Sequence, residues 1–415
     1  MERGLVLKSE DLGLPPARPS TDCDLDLMLV SLYDWFWKDH HWFPSQYSWA
    51  DFEDKNEEIY PHPKDLLAVI PLAFVIIIVR YSFERVVGLP LGRLMGVYDG
   101  HRIKAFHNST LESFFRTQDR NPKEAQLNHL ATQCNLSMRQ VQHWFRCRRN
   151  QERPLRSKKF SEACWKCMVY TFSFVGGFFI LYDEPWLWDS DLCWHGFPKQ
   201  IMKPSIYWWY LLDFGHYISL LLTLPFDVKR KDFTEQVIHH FSAAILIYFS
   251  YCANYIRIGT LVIFIHDVAD IFLEAGKVLH YAQWKQSCDM IFIIFSMTFF
   301  ITRLIVFPYK VLYSTYYSSM VNHEPFFGYY FTNGLLMILQ ALHVFWSYLI
   351  LCMLFRYVNC GTMEKDVRSD VEEQDTSDDD QLNTKEQKSK RLQSSDVPDT
   401  YNLPRSRGAR RTGPN

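Results

Sequence analysis

Long runs almost free of charge constrain this chain more than any other feature. A helix that crosses a bilayer needs about 20 mostly apolar residues, because each residue rises about 1.5 Å through a hydrocarbon core about 30 Å thick. Seven runs meet or approach that length, at about residues 66–83, 164–182, 206–225, 237–256, 258–276, 290–307 and 334–355. They predict an all-α, polytopic membrane protein with about seven transmembrane helices. Composition agrees, since 48% hydrophobic and 16% aromatic residues exceed what a soluble domain of this length carries. Charge collects between the runs, in residues 1–65, 81–163 and 360–415, so a net charge of -2 says nothing about partners. The fourth and fifth runs are separated only near Arg257 and must form a tight hairpin. The fifth holds His266, Asp267, Asp270 and Glu274, which lipid tolerates only when they face protein or a watery cavity.

Orientation follows from Lys and Arg, which gather in short cytoplasmic loops. Arg85, Arg93, Arg102, Lys104, Arg146, Arg148, Arg149, Arg153, Arg156, Lys158 and Lys159 lie after the first run; Lys229, Arg230 and Lys231 after the third; Lys277 and Lys285 after the fifth. These odd-numbered loops are expected to be cytosolic. The amino-terminal segment 1–65, the segment at Asp183, the Arg257 hairpin and a loop over 308–333 then face the lumen, and the tail 358–415 is cytosolic. Residues 1–27 lack an apolar core, so no cleavable signal peptide is read there and the first span, 66–83, acts as the targeting signal. Tyr33-Asp-Trp-Phe-Trp and His41-Trp-Phe-Pro read as an aromatic anchor at the luminal interface. Cys164 and Cys167 form a C-x-x-C, but no second Cys/His pair stands at zinc spacing, so no metal is expected.

Between the first two runs lies a soluble island, 99–154, with the pattern of three helices. Leu111, Phe114 and Phe115 repeat at helical spacing, Asn121-Pro-Lys-Glu reads as a capped helix start, and Leu136-Ser-Met-Arg-Gln-Val opens a second amphipathic helix. The run Val141-Gln-His-Trp-Phe-Arg-Cys-Arg-Arg-Asn resembles a homeodomain recognition helix. Homeodomains read adenine through an Asn two residues beyond the Phe. Here that position is Cys147, which cannot make the bidentate contact, and the basic arm is missing. Both departures argue against DNA binding and for a structural or regulatory domain beside the membrane.

His239 and His240 open the fourth run about one turn inside its cytosolic boundary. Asp267 and Asp270, three residues apart, share one face of the antiparallel fifth helix, at similar depth. A histidine serves as general base or acyl-accepting nucleophile near neutral pH, and a carboxylate on its other nitrogen fixes the tautomer. These four residues are the candidate catalytic set. His216 and His343 read as satisfied packing residues.

The stretch from Asp227 through the His239-His240 pair to Glu274 resembles the Lag1 motif of TLC-domain proteins, and residues 28–373 as a whole resemble ceramide synthases. The resemblance implies a TLC-type bundle of six helices over 160–357, with the Lag1 motif at about 227–284. It implies an endoplasmic reticulum membrane enzyme that transfers a fatty acyl group from acyl-CoA to the amine of sphinganine or sphingosine. Acyl-CoA is then a co-substrate and no cofactor is needed; membrane lipid surrounds the enzyme, and homo- or heterodimers with paralogues stay open. Tyr316-Tyr, Glu324-Pro-Phe-Phe-Gly-Tyr-Tyr-Phe and Met363-Glu-Lys-Asp-Val point to one paralogue within the family and imply acyl chains of about stearoyl length and above. The family's Asn-x-Thr glycosylation site is replaced here by Gln46-Tyr-Ser-Trp.

Three further expectations follow. The luminal loop 309–333, with Tyr316, Tyr317, Phe326 and Phe327, helps to select acyl length, since a chain entering from the cytosol ends near the luminal side. The tail, too poor in apolar residues to fold, places Ser369, Thr376 and Ser377 before acidic runs, the pattern an acid-directed kinase reads. The alternative function is a non-enzymatic TLC-type protein that senses or transports lipid, against which the paired histidines and aspartates argue.

Overall fold

Nearly the whole of each apolar run forms helix in a computed structural model, which describes residues 21–360 apart from 56–57, 101, 229–230 and 322. The expected phosphorylation sites Ser369, Thr376 and Ser377 lie outside the described residues. The described residues divide into two units, a helical bundle (residues 21–98, 156–227 and 233–360) and the island at 99–155, with which residues 228 and 231–232 group.

The bundle contains α1 (Thr21–Phe36) and α2 (Val69–Phe83); the island then supplies α3 (Ser109–Thr117), α4 (Glu124–Cys134) and α5 (Met138–Glu152). The bundle resumes with α6 (Arg156–Leu181), α7 (Pro204–Thr223), α8 (Phe233–Cys252), α9 (Ile256–Tyr281), α10 (Lys285–Phe299) and α11 (Phe327–Cys360). Ile70, Phe74 and Ile78 stand at four-residue spacing on α2 and are all exposed, an uncharged apolar stripe of the kind that lipid covers. The buried Arg80 ends that stripe. Its Nη2 donates to Asp227 at 2.6 Å, its Nε to Glu84 at 2.8 Å and its Nη1 to Thr223 at 2.8 Å, which fastens α2 to the end of α7.

Among the described residues, four helical stretches are long and apolar enough to cross a membrane: Pro63–Leu94, Met138–Leu181, Lys285–Met320 and Phe327–Asn359. The expectation that about seven runs would qualify by length and apolarity is therefore corrected for α7, α8 and α9. At 20, 20 and 26 residues they are long enough. They are not apolar enough, because they carry Asp213 and His216, then Glu235, His239 and His240, then His266, Asp267, Asp270 and Glu274.

Two further expectations change. The amino-terminal aromatic segment is more than an interfacial anchor. Trp42 and Phe43 are fully buried in the bundle core, with Trp42 stacked on Phe249 of α8 at 4.7 Å and 2°. Pro308 does not end its helix either. The chain continues in π-helical form over Phe300–Leu312 and then through Tyr313–Tyr316, so the loop expected over 308–333 is much shorter. A wider turn accommodates a residue that lacks an N–H and would clash with a carbonyl one α-turn back.

In the island, Leu111, Phe115, Leu130, Val141, Trp144 and Phe145 form the core, and Trp144 Nε1 donates to the Phe106 carbonyl at 2.7 Å. Asn108 caps α3 by accepting from the Thr110 and Leu111 amides, and Ser137 caps α5 in a reciprocal box with Gln140. Helix α4 starts at Glu124, three residues after the expected cap Asn121, because the Gln126 side chain accepts from the Lys123 amide and closes the end there. Glu112 of α3 accepts from Arg148 of α5 at 2.8 and 2.9 Å. Those bonds to Arg148, with help from Arg116, hold the Glu112 carboxyl well below the ordinary range, at about 2.

Candidate active site

His239 lies six residues into α8, about 9 Å along it. The chain then turns in three residues, Ala253 to Tyr255. Asn254 adopts φ 56° there and donates from Nδ2 to the carbonyls of Pro198 at 2.7 Å and Gln200 at 2.9 Å. Asn is one of the few residues that enter this left-handed region readily, and its side chain here serves as the staple as well. The antiparallel return of α9 sets the His266 ring 6.2 Å from the His239 ring at 26°. His239 also lies 5.6 Å from His240 and meets Trp346 of α11 edge-on at 5.4 Å.

The carboxylates sit on the other side of α9. Asp267 Oδ2 accepts from Ser173 of α6 at 2.5 Å, and the same hydroxyl lies 2.7 Å from Asp213 Oδ1 of α7. Asp270 pairs with the buried Arg303 at 3.5 Å, and Arg303 also donates to the His266 carbonyl at 2.9 Å. His266 Nδ1 is 2.6 Å from the Val262 carbonyl and its Nε2 is 3.1 Å from Nε2 of His343. A carbonyl only accepts, so His266 carries its hydrogen on Nδ1 and takes one at Nε2 from His343. The structure thus groups His239 with His240 and, separately, Asp267 with Asp270. Tyr217 lies between the groups, with its ring 6.3 Å from His240 and with Asp267, Asp270 and Asp213 as electrostatic neighbours. Among the described residues no hydrogen bond joins either histidine to either aspartate, and Nδ1 of both His239 and His240 is without a partner.

The two histidines read as satisfied packing residues require correction. His343 holds His266 in its tautomer. His216 is buried with neither ring nitrogen bonded, its ring met edge-on by Tyr170 at 5.7 Å. Sequence reading also passed over Ser173, Asp213 and Arg303. Asp213 and Arg303 are charged residues inside apolar runs, and the rule applied to the fifth run would have flagged both. Ser173 carried no such signal.

A cavity opens between the helices beside His239. Ala243, Leu246, Ile247 and Ser250 of α8 line it, with Ile258, Gly259, Val262, Ile263 and His266 of α9, Tyr210 and Tyr217 of α7, and Thr332, Leu336 and Leu339 of α11. His239 to Ser250 spans about 16 Å of helix, roughly half of a hydrocarbon core about 30 Å thick. The imidazoles of His239 and His266 stand at one end, the walls are aliphatic, and Tyr210, Ser250, Gly259 and Thr332 close the other. Tyr316, Tyr317, Phe326 and Phe327 are outside this lining. Tyr316 and Tyr317 are exposed, Phe326 is buried, and Phe327 packs on Trp42 and Phe331. Tyr316 still touches the wall indirectly, because Tyr329 of α11, three residues before Thr332, donates to its carbonyl at 3.0 Å.

Comparison with known proteins agrees with this architecture. The family model described as the TLC domain, covering TRAM, LAG1 and CLN8 proteins, matches residues 159–352, and the homeodomain model matches residues 101–154. The chain is 56% identical to ceramide synthase 4 of Homo sapiens over 85% of this chain and 89% of that protein. It is 50% identical to ceramide synthase 4 of Mus musculus over 92% and 97%, and 49% identical to ceramide synthase 3 of Homo sapiens over 83% and 90%. With identities this high across nearly the whole length of each relative, and with helices that set His239 and His266 at one end of an apolar cavity, the chain belongs to the ceramide synthase family.

Proposed function

We propose that this member of the family N-acylates sphingoid bases at the cavity mouth. The acyl group of acyl-CoA passes to the amine of sphinganine or sphingosine, and His239, His240, Asp267 and Asp270 carry the reaction. The C–N bond forms as the C–S bond breaks, the amine gives up a proton, and the thiolate of coenzyme A departs. A bare imidazole nitrogen on His239 or His240 suits the base or nucleophile. The carboxyl groups of Asp267 and Asp270, one step away across Tyr217, suit stabilisation of the cation that forms. The observation that carries the reading is the cavity itself, apolar along its walls and imidazole-lined at one end only. Ala at His239 or Asp267 should abolish amide formation from acyl-CoA and sphinganine, read by mass spectrometry, while insertion persists. Full turnover in an inserted His239→Ala enzyme refutes the assignment. An acyl adduct on His239 or His240 after exposure to acyl-CoA alone marks a two-step route, and its absence marks base catalysis.

The same reading sets the topology: seven spans in the endoplasmic reticulum membrane, amino terminus luminal and carboxy terminus cytosolic, with α7, α8 and α9 as the three polar-bearing spans. Helices of 20 residues reach about 30 Å and suffice for this. The segments are 1–65 in the lumen, the first span at 66–83, the cytosolic homeodomain-like domain at 99–154, the TLC domain at 160–357 and the cytosolic tail from 358. Acyl length, of about stearoyl and above, we assign to the closed end of the cavity. Tyr316, Tyr317, Phe326 and Phe327 act on it by setting where the first turns of α11 lie. Phosphorylation at Ser369, Thr376 and Ser377 would regulate the enzyme through the tail.

A further inference from the structure

Three helices meet at Ser173, and the meeting is built rather than incidental. Gly177 lies one turn beyond Ser173 on α6. A Cβ there would stand 2.6 Å from the Trp209 ring, so only glycine lets that indole lie against α6. Trp209 Nε1 then donates to the Ser173 carbonyl at 3.1 Å, and Asp213, one turn further along α7, arrives beside the Ser173 hydroxyl. On the other flank Phe174 stacks on Phe264 at 4.7 Å and 13°, which sets the register of α9 and delivers Asp267 to the same hydroxyl. The three side chains cannot all be in their usual ionised or neutral forms. Ser173 has one hydroxyl hydrogen, and two carboxyl oxygens lie 2.7 and 2.5 Å from its oxygen. Ionised carboxylates only accept, so one hydrogen cannot satisfy both. The second contact needs a hydrogen from a carboxyl group.

We propose that Asp213 and Ser173 are positioning residues for Asp267, and that the Asp213–Ser173–Asp267 trio holds one shared carboxyl proton. This rests on the reading of Asp267 as part of the reaction site. Two carboxylates this close do not both ionise, so one proton between them removes the like-charge cost and leaves a single negative charge. The hydroxyl bridge fixes which oxygen of Asp267 faces α6 and so which faces the rest of the site. Asp213 Oδ2 is buried without a partner, and the structure gives Asp213 and Asp267 no other side-chain hydrogen bond among the described residues. The titratable groups facing the trio are Tyr170 on α6, Tyr210 and Tyr217 on α7, and Asp270 on α9, with the Arg303 cation beyond them.

The test uses full-length protein in lipid nanodiscs. Infrared spectra at neutral pH should show a protonated carboxyl band that is lost in both Asp213→Asn and Asp267→Asn. Ser173→Ala should lower kcat about 10- to 100-fold, the scale of a misplaced reacting group, with KM for both substrates unchanged and with the acid limb of the pH–rate profile displaced. Ser173→Thr keeps the hydroxyl and should restore kcat and the limb; this separates positioning from packing. A wild-type spectrum without the band, or an Asp213→Asn enzyme with wild-type kcat and pH profile, overturns the proposal. Full activity in Asp267→Ala would instead overturn the reading of the site and leave the infrared result standing.

Discussion

Gly259→Ala should shorten the preferred acyl chain, and the structure sets the size of the effect. Gly259 closes the end of the cavity opposite His239. A Cβ there would sit 2.7 Å from Tyr210 Oη, 3.2 Å from Ser250 Oγ and 3.3 Å from Tyr210 Cε2. Tyr210 is fully buried and its hydroxyl is tied to Ser250 and, at 3.3 Å, to the Ile247 carbonyl, so it cannot retreat into solvent. The ring must therefore move by several tenths of an ångström, and the cavity that it lines is the open space available. An acyl chain that just fills the wild-type cavity then meets an overpacked end, at a cost of about 1–3 kcal/mol. A chain two methylenes shorter avoids that cost and forfeits about 1.6 kcal/mol of burial. Against the wild type, the ratio of shorter to longer product should rise about 5- to 160-fold, since each 1.36 kcal/mol is tenfold.

The assay offers an equimolar mixture of acyl-CoAs differing by two carbons, with sphinganine in excess, and reads the amide products by mass spectrometry. Tyr210→Phe removes the atom nearest to the new Cβ, so Gly259→Ala/Tyr210→Phe should recover most of the long-chain product. Ser250 retains its bond to the Ile247 carbonyl at 3.0 Å in that background, so the double variant leaves no orphaned hydroxyl there. An active Gly259→Ala enzyme with an unchanged profile, or a double variant that fails to recover, refutes the placement of the acyl end against Tyr210.

Arg80→Ala leaves the half-buried Glu84 without its cation and Asp227 with Lys166 alone, at 3.4 Å; removing the buried partner of such a pair costs up to about 3–5 kcal/mol, so thermal unfolding in detergent should show a clear loss of Tm, and an unchanged Tm would remove Arg80 as the link between α2 and α7. In the island, Glu112 has a carboxyl held at about 2 in the folded state against about 4.3 unfolded. Its contribution is therefore complete above the unfolded value and is lost as pH falls toward the folded one. Hydrogen-exchange protection over residues 109–152 should exceed that of Glu112→Gln at neutral pH and converge with it near pH 2; a gap independent of pH would refute the Arg148 pairing as its source. Changing Ser369, Thr376 and Ser377 together to Ala should remove phosphate from the tail and alter activity in cells, and unaltered phosphate content and activity would exclude a regulatory role.

What could be read in advance was whatever lipid forbids. Charged residues inside apolar runs are costly wherever they fall, so His239, His240, Asp267 and Asp270 were visible without any knowledge of packing. Asp213 and Arg303 satisfy the same criterion, but each is the only acidic or basic residue other than His in its run, whereas His266, Asp267, Asp270 and Glu274 stand together in the fifth. Ser173 was illegible for a different reason. A serine in a membrane helix is ordinarily bonded to its own carbonyl four residues back, as Thr171 is to Cys167. Only the crossing at Gly177 and Trp209, between residues 32 apart in sequence, turns Ser173 toward two other helices. The closed end of the cavity was hidden in the same way. Tyr210, Ser250, Gly259 and Thr332 come from four parts of the chain, and each alone fits a helix interior. The short loop after the sixth run was hidden too, because the apolar run ends at 307 while the chain carries on past Pro308 along a π-helical path that hydropathy does not encode. Each miss concerns where helices meet, and each prize residue that was read concerns what one helix cannot hide. The proposed reaction site joins the two kinds: residues that lipid would reject are made tolerable by crossings that a single helix does not encode.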